Sequence, residues 1–225
     1  MTEGDDLGST IFGWVGTALA TYFYIAPIVP YVKVIKEQIT IKEAPGILLL
    51  CSLLNCVLWT PYGLLKDEFS VYFANGIGAC ITLIYATLFV VYFAEKKLLL
   101  SCLYTLFLIA CVVEIYFICF YLLDPDVTGI IANVFNVLMY AAPGEKIITI
   151  CKNGNYELIP IWSTIGGTAC STSWMLYGFY KGDILLIIPN ALGVIASIIQ
   201  IVVYVIYRGK ASNKLNPKIN LMIKE

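Results

Sequence analysis

The sequence predicts an all-α membrane protein: seven transmembrane helices, arranged as two parallel three-helix repeats joined by a linker helix (3+1+3). Three observations lead there. First, the 225 residues are 60% hydrophobic and 13% charged, with a mean hydropathy of +0.85. A soluble domain of that size cannot bury so much apolar surface. Second, the apolar residues come in runs of about 20, the length that crosses a hydrocarbon core about 30 Å thick. Third, the chain repeats itself. A shift of 115 positions carries Pro45 onto Pro160, Trp59 onto Trp174, Tyr62 onto Tyr177, Gly63 onto Gly178 and Lys66 onto Lys181. It also carries Asn75 onto Asn190, Gly78 onto Gly193 and Tyr92 onto Tyr207, while Pro27 meets Pro143 with one residue of slippage. Chance supplies apolar matches, but not Pro, Trp and Asn in register.

The spans are expected at residues 9–32, 44–65, 69–93, 98–123, 128–150, 158–180 and 184–207. An acidic tail, Met1 to Thr10, precedes the first, which contains Pro27 and Pro30 and ends at Lys33. The second begins at Pro45, a helix-start position that tolerates proline, and carries Asn55, Trp59, Pro61 and Tyr62 before the turn Lys66-Asp67-Glu68. The third carries Asn75, Gly76, Gly78 and Thr82. The fourth has no proline before Asp124-Pro125-Asp126 and no counterpart elsewhere in the chain. The fifth holds Asn133, Asn136 and Pro143; the sixth starts after Pro160 and holds Trp174 and Tyr177; the seventh holds Pro189, Asn190, Gly193 and Gln200. Three spans per repeat is an odd number, so the two copies run in parallel only if one extra helix separates them. The domains expected are thus a first repeat at 9–93, a linker helix at 98–123, a second repeat at 128–207 and a polar, basic, disordered cytosolic tail at 208–225.

Charge sets the orientation. Lys33, Lys36, Lys42, Lys96, Lys97, Lys146, Lys152, Arg208, Lys210, Lys214, Lys218 and Lys224 all fall on one side, leaving only Lys66 and Lys181 on the other. Basic loops stay in the cytosol, so the N-terminus is expected outside or in the lumen and the C-terminus in the cytosol. The plasma membrane is favoured over the Golgi or another endomembrane. No basic region precedes the first apolar run, so no cleaved signal peptide is expected. A net charge of −1 offers nothing to nucleic acid. Of the eight cysteines, none falls in an external loop, so they are read as small packing residues. The chain has no His, no CxxC and no Gly-rich phosphate loop, so neither a metal nor another cofactor is expected. No nucleophile–base pair converges, and the protein is not read as an enzyme.

Two residue pairs stand out inside the spans. Trp59 and Asn75 lie eight residues either side of Asp67, and Trp174 and Asn190 lie eight either side of Gly182. At the helical rise, each lies roughly 12 Å below its turn, near the middle of the hydrocarbon. An aromatic plate and an amide are therefore expected at equal depth in each repeat. The segments MYAAP (Met139–Pro143), SWMLYG (Ser173–Gly178), IPNALG (Ile188–Gly193) and NGIG (Asn75–Gly78) make the chain resemble the SWEET sugar transporter family (MtN3/saliva repeats), over roughly residues 9 to 208.

The resemblance implies a helical bundle that moves sugar by alternating access. By it, Asn75, Asn190, Trp59 and Trp174 line the substrate pocket. Asn both donates and accepts, as a ring of hydroxyls requires, and an indole offers a flat wall to the ring's C–H face. The two indoles are expected to face each other across a slot about one sugar ring wide. Pro27, Pro45, Pro143 and Pro160 match the family's hinge prolines, near the cytosolic ends of their spans. Tyr62 and Asp183 match its external gate, a phenol donating to a carboxylate. Lys66, Glu68 and Lys181 are read as solvated, and Asn55, Asn133 and Asn136 as helix–helix polar contacts.

Two departures matter. Thr82 stands where many members carry Glu, and Trp59 stands where many plant members carry a smaller residue, which favours a monosaccharide such as glucose. The function implied is a facilitative, bidirectional sugar uniporter, its partners a small-molecule sugar and the lipid bilayer. Glu114, the one acid inside a span, calls for a structural partner such as a hydroxyl or a second copy, so a homo-oligomer is compatible with the sequence. The alternative is a proton-coupled small-solute or amino-acid exporter of the PQ-loop type. It is disfavoured because Pro27-Ile28 and Pro143-Gly144 replace the Pro-Gln pairs, and no paired acid or His offers a proton relay.

Overall fold

A computed structural model describes residues 3–41, 46–93, 97–139 and 141–222, and every secondary-structure element among them is helical. The first span is divided by Pro27. α1 (Glu3–Ile25) ends there and α2 (Ile28–Ile35) restarts, because Pro27 has no N–H to continue the ladder. The backbone bridges the break with Ala26 N–H to Tyr22 O (3.0 Å) and Tyr31 N–H to Pro27 O (3.3 Å). The remaining elements follow in order: α3 (Gly46–Leu65), α4 (Phe69–Phe93), α5 (Leu98–Phe117) with a π-helical turn at Ile118–Leu122, α6 (Pro125–Met139) and α7 (Ala141–Asn153). After a 3-10 turn at Tyr156–Leu158 come α8 (Ile161–Lys181) and α9 (Ile184–Met222). α1 with α2, and α6 with α7, make up the first and fifth spans.

Among the described residues, four apolar stretches are long enough by themselves to cross a membrane: Leu7–Ile35, Phe69–Phe93, Ser101–Leu122 and Ile184–Ala211. The described apolar part of α3, Leu49–Leu65, is shorter. α8 has the length, at 21 residues, but is diluted by Gly166, Gly167, Thr168, Ser171, Thr172 and Ser173. That dilution has a place in the fold, since α8 faces inward and buries Thr164, Ser173 and Tyr177.

The packing obeys a twofold pattern. α3 pairs with α4, and α8 with α9. α1 lies between α4 of its own repeat and α8 of the other, while α6 lies between α9 of its own repeat and α3 of the other. α5 packs on α4 and α3, outside the seam between the repeats.

The two short turns, at residues 66–68 and 181–183, close the same end of the bundle. Gly182 adopts φ 66° and lets Asp183 N–H reach Gly178 O at 2.9 Å, the hydrogen bonding of a glycine-capped helix end. The other copy makes the same turn without glycine: Asp67 takes φ 55°, and Glu68 N–H reaches Gly63 O at 2.8 Å.

One expectation changes. The segment after Arg208 is not a disordered tail along most of its length, because α9 continues to Met222. Lys210, Ala211, Lys214 and Leu215 are good helix formers, and cations suit a helix C-terminus. The prolines are also unlike one another. Pro27 sits at a helix break, Pro143 falls within α7, and Pro160 is the N-cap of α8, with φ −75° and ψ 83°. Pro45 lies outside the described residues.

Candidate functional site

Each amide is first held by its own helix. Asn75 donates Nδ2–H to Val71 O at 2.9 Å on α4, and Asn190 donates Nδ2–H to Leu186 O at 2.8 Å on α9. The same i−4 bond in both copies gives the two side chains one orientation within their repeats. Each keeps a second N–H and its carbonyl oxygen for another partner. Both asparagines line a cavity of about 180 Å³ between the repeats, and Trp59 and Trp174 line it with them. The structure thus brings together the four residues expected there.

The indoles are fixed from the side of the short turns. Trp59 is 4% exposed and packs edge-on against Tyr62, with ring centroids 5.0 Å apart at 84°. Trp174 packs against Tyr177 in the same way, at 5.5 Å and 75°. Each tyrosine is itself accommodated by a glycine of the opposite repeat. A Cβ on Gly129 would come within 2.7 Å of the Tyr62 ring, and one on Gly13 within 3.0 Å of the Tyr177 ring.

The cavity is less symmetric than the sequence repeat. Asn55 lines it in the first repeat, where the 115-residue shift gives Cys170 in the second; Asn136 lines it from α6, and Tyr24 from α1. Asn55 Oδ1 is buried with no hydrogen-bond partner among the described residues, an arrangement that is costly unless a ligand or water completes it. The reading of Asn55 and Asn136 as helix–helix contacts is therefore corrected: both face the cavity. Asn133 does meet that reading, donating Nδ2–H to Leu185 O at 3.0 Å and tying α6 to α9.

Beyond the indoles the bundle is tied shut. Tyr62 Oη–H donates to Asp183 Oδ2 at 2.5 Å, the pair expected from the sequence. Its symmetry mate was missed: Tyr177 Oη–H donates to Glu68 Oε2. Lys181 Nζ lies 2.9 Å from the same oxygen, with side chains only 21% and 15% exposed. Glu68 and Lys181 are thus not solvated, contrary to expectation. The signal was present, because the repeat shift that maps Tyr62 onto Tyr177 also maps Glu68 onto Asp183. Lys66 departs from the symmetry and pairs with Asp126 at 2.6 Å, at 36% and 62% exposure. Asp126 raises the Lys66 pKa, mainly through that bond. The sign of the shift means the pair is intact at neutral pH and is lost only as pH rises beyond the ordinary lysine range. So exposed a pair contributes under about 1 kcal/mol.

All these ties run between the repeats, and Trp59 and Trp174 connect them to the cavity wall. The arrangement suits an uncharged, polyhydroxylated ligand, with amides for its hydroxyls, aromatic walls for its carbon face and no ionised side chain among the lining residues. No group of three or more His, Cys, Asp or Glu among the described residues could hold a metal ion.

Comparison with known proteins gives the family and the fold. The model of a family described as "Sugar efflux transporter for intercellular exchange" matches residues 10–97 and again 126–212. The chain is 30% identical to bidirectional sugar transporter SWEET1 of Arabidopsis thaliana, over 93% of this chain and 87% of that protein. It is also 30% identical to bidirectional sugar transporter SWEET5 of the same plant, over 88% of this chain and 85% of that one. A solved structure of a eukaryotic SWEET transporter has a similar fold, with a TM-score of 0.80 at 24% identity, covering 91% of this chain and 99% of that one.

Proposed function

This chain belongs to the SWEET family of sugar efflux transporters, and from that premise we propose that it is a facilitative, bidirectional sugar uniporter with a monosaccharide such as glucose as substrate. One observation carries the reading: a cavity walled by paired Trp and Asn lies directly behind paired Tyr–carboxylate bonds that join the two repeats. Asn75 and Asn190 bind the hydroxyls, and Trp59 and Trp174 flank the ring. Tyr62 and Asp183 form one half of an outer gate, and Tyr177 and Glu68 the other. Pro27, Pro45, Pro143 and Pro160 supply the hinges about which the repeats, 9–93 and 128–207, rock on either side of the linker 98–123. The short-turn end faces outside or the lumen and the C-terminus faces the cytosol, the plasma membrane being the favoured location. The protein performs no chemistry on its cargo.

The proton-coupled exporter reading is not favoured, since the similar proteins are named as bidirectional sugar transporters. The test is uptake of labelled glucose by transporter-deficient cells. Wild type takes up glucose; Asn75→Ala and Asn190→Ala each abolish uptake while folded protein persists at the membrane. Normal uptake by both variants would remove the cavity from the mechanism.

A further inference from the structure

Pro27 divides the first span into α1 and α2, and a helix broken at proline bends easily unless something holds its two pieces. Here the hold comes from α4. Tyr85 Oη–H donates to Ile25 O, the last carbonyl of α1, at 3.2 Å. In an unbroken helix that carbonyl would take the N–H of Val29. The ring of the same tyrosine stacks on Tyr31 of α2, with centroids 5.0 Å apart at 12°. Tyr85 therefore holds both sides of the break. Val34 of α2 and Leu49, Leu53 and Val57 of α3 join the two tyrosines in one buried apolar cluster, which seats α2 in its own repeat.

The second repeat is built differently. The 115-residue shift puts Gln200 at the place of Tyr85, and Thr164, Thr168 and Thr172 at the places of Leu49, Leu53 and Val57. Gln200 donates Nε2–H to Ala196 O of its own helix at 3.4 Å. Thr164 and Thr168 donate Oγ1–H to Pro160 O and Thr164 O at their own helix. Side chains of this kind keep acceptors for water and can be wetted at little cost. Parting α2 from α3 and α4 would instead expose leucine and tyrosine surface, at a cost that grows with the apolar area.

We propose that Tyr85 is a positioning residue that locks the Pro27 break, so that the cytosolic path opens by α7 swinging at Pro143 while α2 stays fixed to its repeat. This latch rests on the alternating access proposed above, and it makes the two copies of the hinge unequal.

The test is amide hydrogen exchange, read by mass spectrometry on the full chain in phosphatidylcholine vesicles, at two segments matched by the repeat: 31–35 in α2 and 147–151 in α7. Without sugar, wild type should exchange at least about tenfold more slowly at 31–35, as expected of a packed element against a loosely held one. Tyr85→Phe keeps the ring and loses the hydroxyl. Its exchange at 31–35 should rise roughly two- to tenfold, the range for one hydrogen bond, with 147–151 unchanged. Tyr31 Oη is buried with no hydrogen-bond partner among the described residues, so Tyr31→Phe keeps the stack and should leave both segments as in wild type. Glucose should alter exchange at 147–151 alone in wild type and at both segments in Tyr85→Phe, a response that mere loosening of the packing would not produce. Three results would each overturn the latch: wild type that exchanges equally at the two segments, Tyr85→Phe with exchange at 31–35 unchanged, or wild type whose two segments respond equally to a sugar it transports. Labelled-glucose uptake by the same vesicles separates the two readings. Uptake without a difference between the segments removes the latch alone. Absent uptake removes the transport reading, and the sugar-free comparison still decides the latch.

Discussion

Asn75 and Asn190, as the proposed sugar ligands, would serve two purposes with one side chain. The bond from Nδ2 to the carbonyl four residues back spends one donor to hold the amide still, and a fixed amide loses less entropy when a ligand arrives. Trp59 is held more tightly than its copy, being buried where Trp174 is partly exposed. Trp59→Ser should open the slot and admit a disaccharide. The lost ring contact, on the order of 1 kcal/mol, should raise the half-saturation constant for glucose several-fold. The lost packing on Tyr62 should also lower the melting temperature. Paired uptake of glucose and sucrose, with a thermal melt of the purified variant, checks both effects; a wild type that already prefers sucrose would contradict the narrowing role of Trp59. Asp67 offers a contrast with no ligand involved. It holds φ 55° where the other repeat uses Gly182, a conformation that disfavours a side chain by about 1 kcal/mol. Asp67→Gly should therefore raise the melting temperature slightly and leave transport unchanged, as a thermal melt alongside glucose uptake would show.

Helices α3 and α8 each carry a Trp three residues before a Tyr, and each Tyr bonds to a carboxylate of the opposite repeat. Trp, Tyr and carboxylate thus form one connected strut in each copy, seated against Gly129 or Gly13 of the opposite repeat. Movement of either turn must be felt by the indole at the cavity wall. A hydrogen bond to a charged group contributes about 1.5–3 kcal/mol, so removing one should shift the closed–open balance roughly ten- to a hundredfold. Tyr177→Phe is expected to do this as strongly as Tyr62→Phe, although only Tyr62 belongs to the gate expected from the sequence. Cys170 lines the cavity and provides the reporter. A membrane-impermeant thiol reagent added from the short-turn side should modify it faster in either variant, with peptide mass spectrometry reading the site. Unchanged reactivity in Tyr177→Phe would show that the second strut does not hold the gate.

At the scale of the whole molecule, the cavity lies where the two repeats meet, so the same walls serve both directions of movement. None of its lining residues is acidic or basic, and the chain has no histidine. The proposed uniport requires no proton relay in that lining. Labelled sugar should therefore equilibrate across the membrane without accumulating, and a protonophore should leave the endpoint where it was. Accumulation above the external concentration that collapses with the protonophore would contradict uniport and direct attention to Glu114.

What the sequence determined by itself is what depends on position along the chain. Composition and run length are linear properties, and they predicted an all-helical membrane protein with its helix order. The 115-residue register is linear too, and it placed Trp59, Asn75, Trp174 and Asn190 at one depth before any packing was known. Tertiary structure decided what depends on how each helix is rotated and which neighbour it meets. Asn55, Asn133 and Asn136 look alike in sequence, yet two face the cavity and the third ties α6 to α9. Glu68 and Lys181 read as turn residues in water until folding brings them together against Tyr177. Glu114 could have faced any way until the packing of Val112 and Ile115 turned it outward. Depth in a membrane follows from counting residues at a fixed rise, whereas the azimuth of a side chain is set by contacts with helices far away in the sequence.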